Sequence, residues 1–582
     1  MHNQRLCRLL FAASIVFISG CAPSAPKGSV GTRFEVSFGK DLNSEPVTGR
    51  VFISVNPTST EEPRLAAFYS ARMRTGRVPL FATDVSALQP GSIAVVATDE
   101  HALGYPLDDM KDLKPGDYYV QAVLNVYTEF HRADGHTIWA HNDQWEGQKW
   151  AYSPGNLVSE PVKVHLDPRE GFNVKLTFTR KLPAIEMPPD TKWVKRVKFE
   201  SPMLSKFWGR PIYLGATVLL PKGYDEHPGQ RYPTIYEQTH FSMNAPFGFH
   251  TELLPGDTAT NPKWVRSNVE APLPWNGNGV PQSGYKFYEA WNSDDFPRVI
   301  VVNFLHPTPY FDDSYAVNSA NNGPYGDAII QELIPELEKR FRMEPAPWAR
   351  TLTGGSTGGW MSLALQLYHP DVFRGTWTFF PDPIDFRRYH LTDIYSDSNA
   401  FIPPNAPLNA PERPMQMTHE GQVVQTMRQI SQMEAASGTR GRSANQLDIW
   451  SAVYGPTDKD GYPRRLWDLK TGEIDREVAF YMRDHGYDLR EYTERNWPKI
   501  GKDLVGMLHI LTGDMDDFYL AFATYMYEDM LKNTQNPHYE GEFTYGRPMK
   551  GHGWHPMLYS DLVKTMAAHM QKNARGSAAA AR

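Results

Sequence analysis

Gly354-Gly355-Ser356-Thr357-Gly358 fits the pattern G-x-S-x-G. It lies between the apolar run "ARTLT" and the helical pattern "WMSLALQLYHP". That setting is the one a nucleophile elbow requires: a serine on a tight strand-to-helix turn, with its hydroxyl lifted clear of the sheet. Side chains beside such a serine would collide with neighbouring backbone, which gives the flanking glycines a mechanical reason. The helix that follows aims its N-terminus at the hydroxyl, where a developing oxyanion would sit. Two further groups follow in chain order. "GMLHILTGDMDDFY" ends an apolar run in an acidic turn with Asp514, Asp516 and Asp517, and "EFTYGRPMKGHGWHP" carries the glycine-flanked His552. A serine, then a carboxylate, then an imidazole, each at the end of an apolar run, is the order for acyl transfer through a covalent intermediate. Ser356 would attack a carbonyl, His552 would take and return its proton, and an aspartate would fix the tautomer of His552. His555 lacks the flanking glycines, and His509 sits mid-run, where a core histidine is expected.

These residues need a scaffold. From about residue 193, short apolar runs alternate with helical patterns: "PIYLGATVLLP", "YPTIYEQTH", "PRVIVVNFL", "ARTLTGGS", "GTWTFFPD" and "VGMLHILTGD". Such alternation implies a mostly parallel sheet covered by helices on both faces. In "GDAIIQELIPELEKRFR", Ile330, Leu333, Ile334, Leu337 and Phe341 share one helical face. Residues 388–502 break the rhythm with charged helical patterns and no clear strand, and are expected to form a helical cap inserted near the site. Before residue 180 the period is two: Phe34, Val36 and Phe38 share a face, as do Val51, Ile53 and Val55, and later Val174, Leu176 and Phe178. With no convincing helix between these runs, residues 31–180 read as an antiparallel, Ig-like β-sandwich. The proline-rich "KLPAIEMPPDTK" spans the expected linker, 181–192.

The motifs of residues 195–570 together resemble the putative-esterase branch of the α/β-hydrolase fold, which includes esterase D and feruloyl esterases. "YPTIYEQTH" resembles the strand leading to the oxyanion loop, "LTGGSTGGWMSLALQLYHPDVF" the elbow and its helix, and "KGHGWHP" the histidine loop. The resemblance implies a doubly wound sheet over residues 193–572 and a serine carboxylesterase without a cofactor. The family's spacing after the strand-end glycine favours Asp516 as the triad acid, with Asp514 its rival. It implies backbone oxyanion donors at Thr357 and at His240 or Phe241. The family has His-Gly where this chain has His240-Phe241, so the loop geometry must differ. Trp360, Phe379, Phe380, Phe518, Tyr519 and Trp554 crowd the motifs, as core packing or as a pocket wall, and Trp360, Phe379, Phe518 and Trp554 are the expected substrate-pocket residues. In "HTIWAHNDQWEGQKW", Trp139, Trp145 and Trp150 would present rings to a sugar or a partner, or pack across strands or against the hydrolase region. Feruloyl or acetyl esters on carbohydrate, or other small esters, are the implied substrates. A prolyl-type serine peptidase shares the triad order, but some 150 residues are too few for its usual propeller. A glycan-binding lipoprotein on a hydrolase scaffold is the non-enzymatic alternative.

The N-terminus reads as an address. "MHNQRLCR" is basic, "LLFAASIVF" is apolar but too short to span a bilayer, and "ISGC" ends at Cys21. This resembles a bacterial lipoprotein signal (1–21), with Cys21 lipidated, a tether over 22–30, and Ala22 favouring the outer membrane. The chain has two cysteines, Cys7 and Cys21. Removal of Cys7 with the signal would leave no disulfide partner and no thiol nucleophile. The 582 residues, 41% hydrophobic and 13% aromatic, fit more than one packed domain. A formal net charge of -7 without a basic block gives no footprint for nucleic acid. No metal-binding loop is evident, and the tail 573–582 is expected to be disordered.

Overall fold

The computed structural model describes residues 31–73, 75–97, 103–254, 257 and 282–580. The signal segment, Cys21 and the tether lie outside the described residues.

Eight strands form the sheet that carries the site: β1 (Val194–Glu200), β2 (Tyr213–Leu219), β3 (Thr234–Gln238), β4 (Ile300–Leu305), β5 (Arg350–Gly355), β6 (Thr376–Phe379), β7 (Leu508–Gly513) and β8 (Glu542–Gly546). Their order is β1-β2-β4-β3-β5-β6-β7-β8. The first two strands run antiparallel to their neighbours, and every pair from β4 to β8 is parallel. This is the mostly parallel sheet expected from the alternating texture. Buried on both faces, β4 reads IVVNFL with every residue buried, as a covered parallel strand must. Each of the six apolar runs noted above contains one of these strands. The leading strand β1 carries lysines and an arginine on a sheet edge, and its apolar signal is correspondingly weak.

Within residues 31–181 nine strands share one hydrogen-bonded sheet, and Thr128–His131 with Thr137–Ala140 form a separate two-stranded ribbon. Phe34, Val36 and Phe38 meet Val51, Ile53 and Val55 in a common core, so this sheet closes over its own apolar face. The Arg33–Phe38 strand pairs in parallel with Asn173–Lys181, against the all-antiparallel expectation. A helix is present as well, α1 (Pro63–Arg72), which covers the opposite face through Ala67 and Phe68, beside Phe52 and Trp150. Its apolar positions are too few to stand out against the period-two runs around it.

The interval between β6 and β7 holds α3 (Met427–Ser437), α4 (Gln446–Tyr454), α5 (Arg476–Asp484) and α6 (Leu489–Leu504), following α2 (Thr357–Tyr368) after the elbow. It also contains a small antiparallel ribbon, Pro414–Met417 with Val423–Thr426, where no strand was expected. Asp475 and Asp488 cap α5 and α6 through their side chains. Residues 573–580 of the expected disordered tail are helical, as part of α7 (Tyr559–Ala580).

Candidate active site

Ser356 occupies the turn between β5 and α2 with φ 58° and ψ −122°, a strained conformation for a residue with a Cβ. The glycines around it are sterically required. A Cβ on Gly358 would stand 2.0 Å from the Gln238 carbonyl oxygen, and one on Gly354 2.3 Å from that of Gly358. A Cβ on Gly359 would meet the Phe379 carbonyl oxygen at 2.5 Å. The elbow is thus wedged between β3 and β6, and only hydrogen fits. The N–H of Thr357 is the first in α2 and has no intrahelical partner.

His552 lies in the loop after β8, with its side chain 3% exposed. Its Nδ1 donates to Asp516 Oδ2 at 2.8 Å. Asp516 Oδ1 accepts from the backbone N–H groups of Phe518 (2.9 Å) and Leu520 (3.3 Å), which aim the carboxylate. With Nδ1 so engaged, Nε2 is left as the acceptor of neutral His552. Burial works against a charge on the ring. The carboxylates of Asp516 first, then Asp517 and Asp382, outweigh it and hold the pKa above the usual histidine value. Asp514 Oδ1 accepts from Lys550 N (3.1 Å) and Asp517 Oδ1 from His552 N (3.1 Å), so both brace the loop backbone. Burial raises Asp517 to about 6. His555 stacks on Phe379 at 4.0 Å and its Nδ1 donates to Met557 O; burial lowers it to about 4. His509 is half-buried rather than a core residue: it stacks on Trp377 at 4.3 Å and its Nδ1 lies 3.4 Å from Glu542 Oε2.

The aromatic residues divide differently from expectation. Phe518 meets the His552 ring edge-on at 4.9 Å, and Phe380 does so at 4.7 Å. Phe379 points to the other side of β6, onto His555. Trp360 is fully buried behind the site against Tyr315 (5.5 Å) and Tyr454 (5.1 Å), and Trp554 packs on the backbone of Gly546. Alternation along β6 explains the first difference: one residue's shift in register changes the face.

The loop after β3 lies against the elbow, since the Gly358 Cβ position is 3.4 Å from Thr239 N. His240 Nδ1 stands 3.1 Å from both Asp312 Oδ1 and Asp313 Oδ2, two buried carboxylates. Burial opposes its charge, but the pair brings His240 up to about 10, an imidazolium at neutral pH. These three side chains are near enough to hold a metal ion. The proton on Nδ1 and Arg72, 3.0 Å from Asp312 Oδ2, already supply the positive charge, and an ion would have to displace them. Phe241, standing where a glycine was expected, is buried against Trp145 (5.4 Å, edge to face) and Gly147 of the preceding region. Trp150 stacks on Phe52 of its own sheet at 4.3 Å, the packing alternative, and Trp139 gives its backbone to Tyr462 and Arg442.

One group was missed altogether. Asp382, two residues beyond Phe380, is 5% exposed. Its Oδ1 accepts from Ser356 Oγ at 3.3 Å, and its Oδ2 from Tyr315 (2.7 Å), Thr357 Oγ1 (3.0 Å) and Gln446 Nε2 (3.0 Å). Trp450 Nε1 donates to Tyr315 Oη at 2.7 Å behind it. Gln446 and Trp450 come from α4, so the inserted segment reaches the groups that surround Ser356. The signal available was an acid just past the end of an apolar strand, "FFPD", beside the elbow strand.

Solved structures to which the chain is similar include a ferulic acid esterase (15% identity, covering 65% of this chain and 98% of that one, TM-score 0.31). They also include a fluorophosphonate-binding serine hydrolase from Staphylococcus aureus (13%, 65% and 97%, 0.29) and an S-formylglutathione hydrolase from Agrobacterium tumefaciens (11%, 66% and 97%, 0.30). No curated protein matches the chain. Residues 275–508 match the model of the family described as putative esterase, a segment that contains the elbow, Asp382 and the inserted helices. Over that segment this chain is similar to the putative esterase family.

Proposed function

We propose that this protein is a serine carboxylesterase, exported and lipid-anchored through Cys21 at the outer membrane. The observation that supports the reading is the His552–Asp516 pair at 2.8 Å, taken together with a serine held at positive φ on a strand-to-helix turn. Ser356 Oγ, turned about χ1 from Asp382 toward His552 Nε2, gives up its proton as it attacks the ester carbonyl. The oxyanion is met by the Thr357 N–H and a backbone N–H of the His240–Phe241 loop. Imidazolium His552 then protonates the leaving alcohol, and water repeats the sequence to release the acid. Feruloyl or acetyl esters on carbohydrate and other small esters are the candidate substrates. Among the described residues no helix is long and apolar enough to cross a membrane, so attachment in this reading rests on the lipid.

Labelling with a fluorophosphonate probe tests the chemistry. The wild-type protein is expected to be labelled once per chain and Ser356→Ala not at all, with kcat on p-nitrophenyl acetate falling by about 10⁶. A folded wild-type protein that resists the probe would refute the assignment. Metabolic incorporation of labelled palmitate, lost in Cys21→Ala, checks the anchor.

A further inference from the structure

We propose that Asp382 is a recognition site for a positively charged acyl group, so that the esters this enzyme prefers carry an ammonium close to the scissile carbonyl. The inference rests on the serine-esterase reading of the same site and narrows its substrate class.

The geometry is specific. Asp382 is buried, and its Oδ1 touches the hydroxyl of the nucleophile. Its hydrogen-bond donors are Ser356, Tyr315, Thr357 and Gln446, all neutral. Among the described residues no lysine or arginine pairs with it, whereas other buried aspartates of the chain, such as Asp312 and Asp448, have an arginine. A buried carboxylate without a cationic partner is costly to keep. This one also stands where it harms the proposed reaction. The oxyanion develops on the atom bonded to the carbon that Oγ attacks, and a fixed negative charge beside Oγ repels it through a water-poor medium. The imidazolium offsets only part of this, because Asp382 shares its charge with Asp516 and Asp517. An ammonium carried in by the substrate would remove the repulsion and add an attraction at the same point.

The acyl side of the ester is the side concerned. His552 protonates the leaving alcohol, so the alcohol departs toward the histidine loop. Asp382 reaches Oγ from the α2 side, through Thr357, and α4 closes over it with Gln446. Oδ1 has a second lone pair beside the one used by Ser356, which can accept one further N–H. A carbon or two from the carbonyl, an α- or β-ammonium falls within reach. Occupation of Oδ1 by that donor would also weaken its hold on the Ser356 proton and release it toward His552.

The test compares two isosteric substrates at pH 7: L-alanine benzyl ester, with an α-ammonium, and benzyl isobutyrate, with a methyl in its place. The wild-type protein is expected to favour the alanine ester at least tenfold in kcat/KM. Asp382→Asn is expected to cost the alanine ester at least tenfold more than the isobutyrate. A wild-type enzyme that turns over isobutyrate as well as or better than the alanine ester overturns the proposal, and needs no variant to fold. An equal loss on both esters in Asp382→Asn, with a moved acid limb in the pH profile, would make Asp382 a positioning residue for the triad and also overturn it. Neither outcome touches the esterase reading, which fails separately if neither ester is cleaved and Ser356 takes no probe.

Discussion

Asp514, Asp516 and Asp517 all face the loop that carries His552, but each holds a different atom: the backbone of Lys550, the ring Nδ1 and the backbone of His552. Only the second sets the tautomer, so conservative amides should separate the three. Asp516→Asn presents the wrong hydrogen-bonding group to Nδ1, and kcat should fall by about 10⁴. Asp514→Asn keeps an oxygen for Lys550 N and should remain within about tenfold of wild type, the scale of one lost charge-assisted bond. Equal losses in the two variants would contradict the assignment. The pH profile follows from the same charges. His552 must be neutral to act as base, and its pKa is raised, so kcat/KM should fall on acidification with a midpoint above the ordinary histidine value of about 6.5. Asp516→Asn removes the largest raising charge and should move that limb to lower pH. The stabilising effect of the ion pair has the opposite sense. It is present in full below about pH 6.5 and fades as pH rises through the folded value.

At the scale of elements, the elbow and the loop after β3 are one joint, since hydrogen alone separates Gly358 from the Gln238 carbonyl. Gly358→Ala should force β3 and α2 apart, at a cost of about 1–3 kcal/mol, and abolish probe labelling by displacing both oxyanion donors. The loop itself lacks the small residue usual for a free-standing turn. Phe241 is instead clamped from outside by Trp145, whose own turn is tied by Asp143 to the N–H groups of Trp145 and Gln148. Trp145→Ala and Trp150→Ala remove buried rings of the same size, and each should destabilise by about 3–5 kcal/mol. Only the first should lower kcat at a temperature where both variants are folded, because Trp150 stacks within its own sheet. Parallel kinetics and thermal melts of the two check this.

The whole molecule is less divisible than its two textures imply. The largest apolar core runs from Phe130 and Ile138 of the first region into Trp208, Tyr310 and Trp450 of the second. Buried arginines cross the seam. Arg50 donates to the Ala436 carbonyl at the end of α3 (2.8 Å), Arg132 to that of Gly461 (3.0 Å), and Arg442 reaches back to Trp139 (2.7 Å). Arg72 completes the His240–Asp312 cluster beside the site. A chain beginning at Pro183 would expose this core and leave Asp312 without its arginine. It should be insoluble or fail to take the probe, and full labelling of a soluble truncated chain would show the first region to be dispensable.

The alternation of apolar runs, the glycines about Ser356 and the order of serine, acid and histidine were legible in the linear chain. Each reflects a local or periodic constraint: strand pleat, backbone clearance and short loops at strand ends. They suffice for the sheet and for the candidates at the elbow and the histidine loop. Which of three aspartates meets Nδ1, which face of β6 carries a ring to His552, and why a phenylalanine stands in the oxyanion loop are matters of contact between segments far apart in sequence. Asp382 belongs with these. It is an ordinary acid after a strand until Ser356, Tyr315 and Gln446, drawn from three other elements, converge on it. Spacing cannot encode such meetings, because they depend on the register and packing of every layer between them.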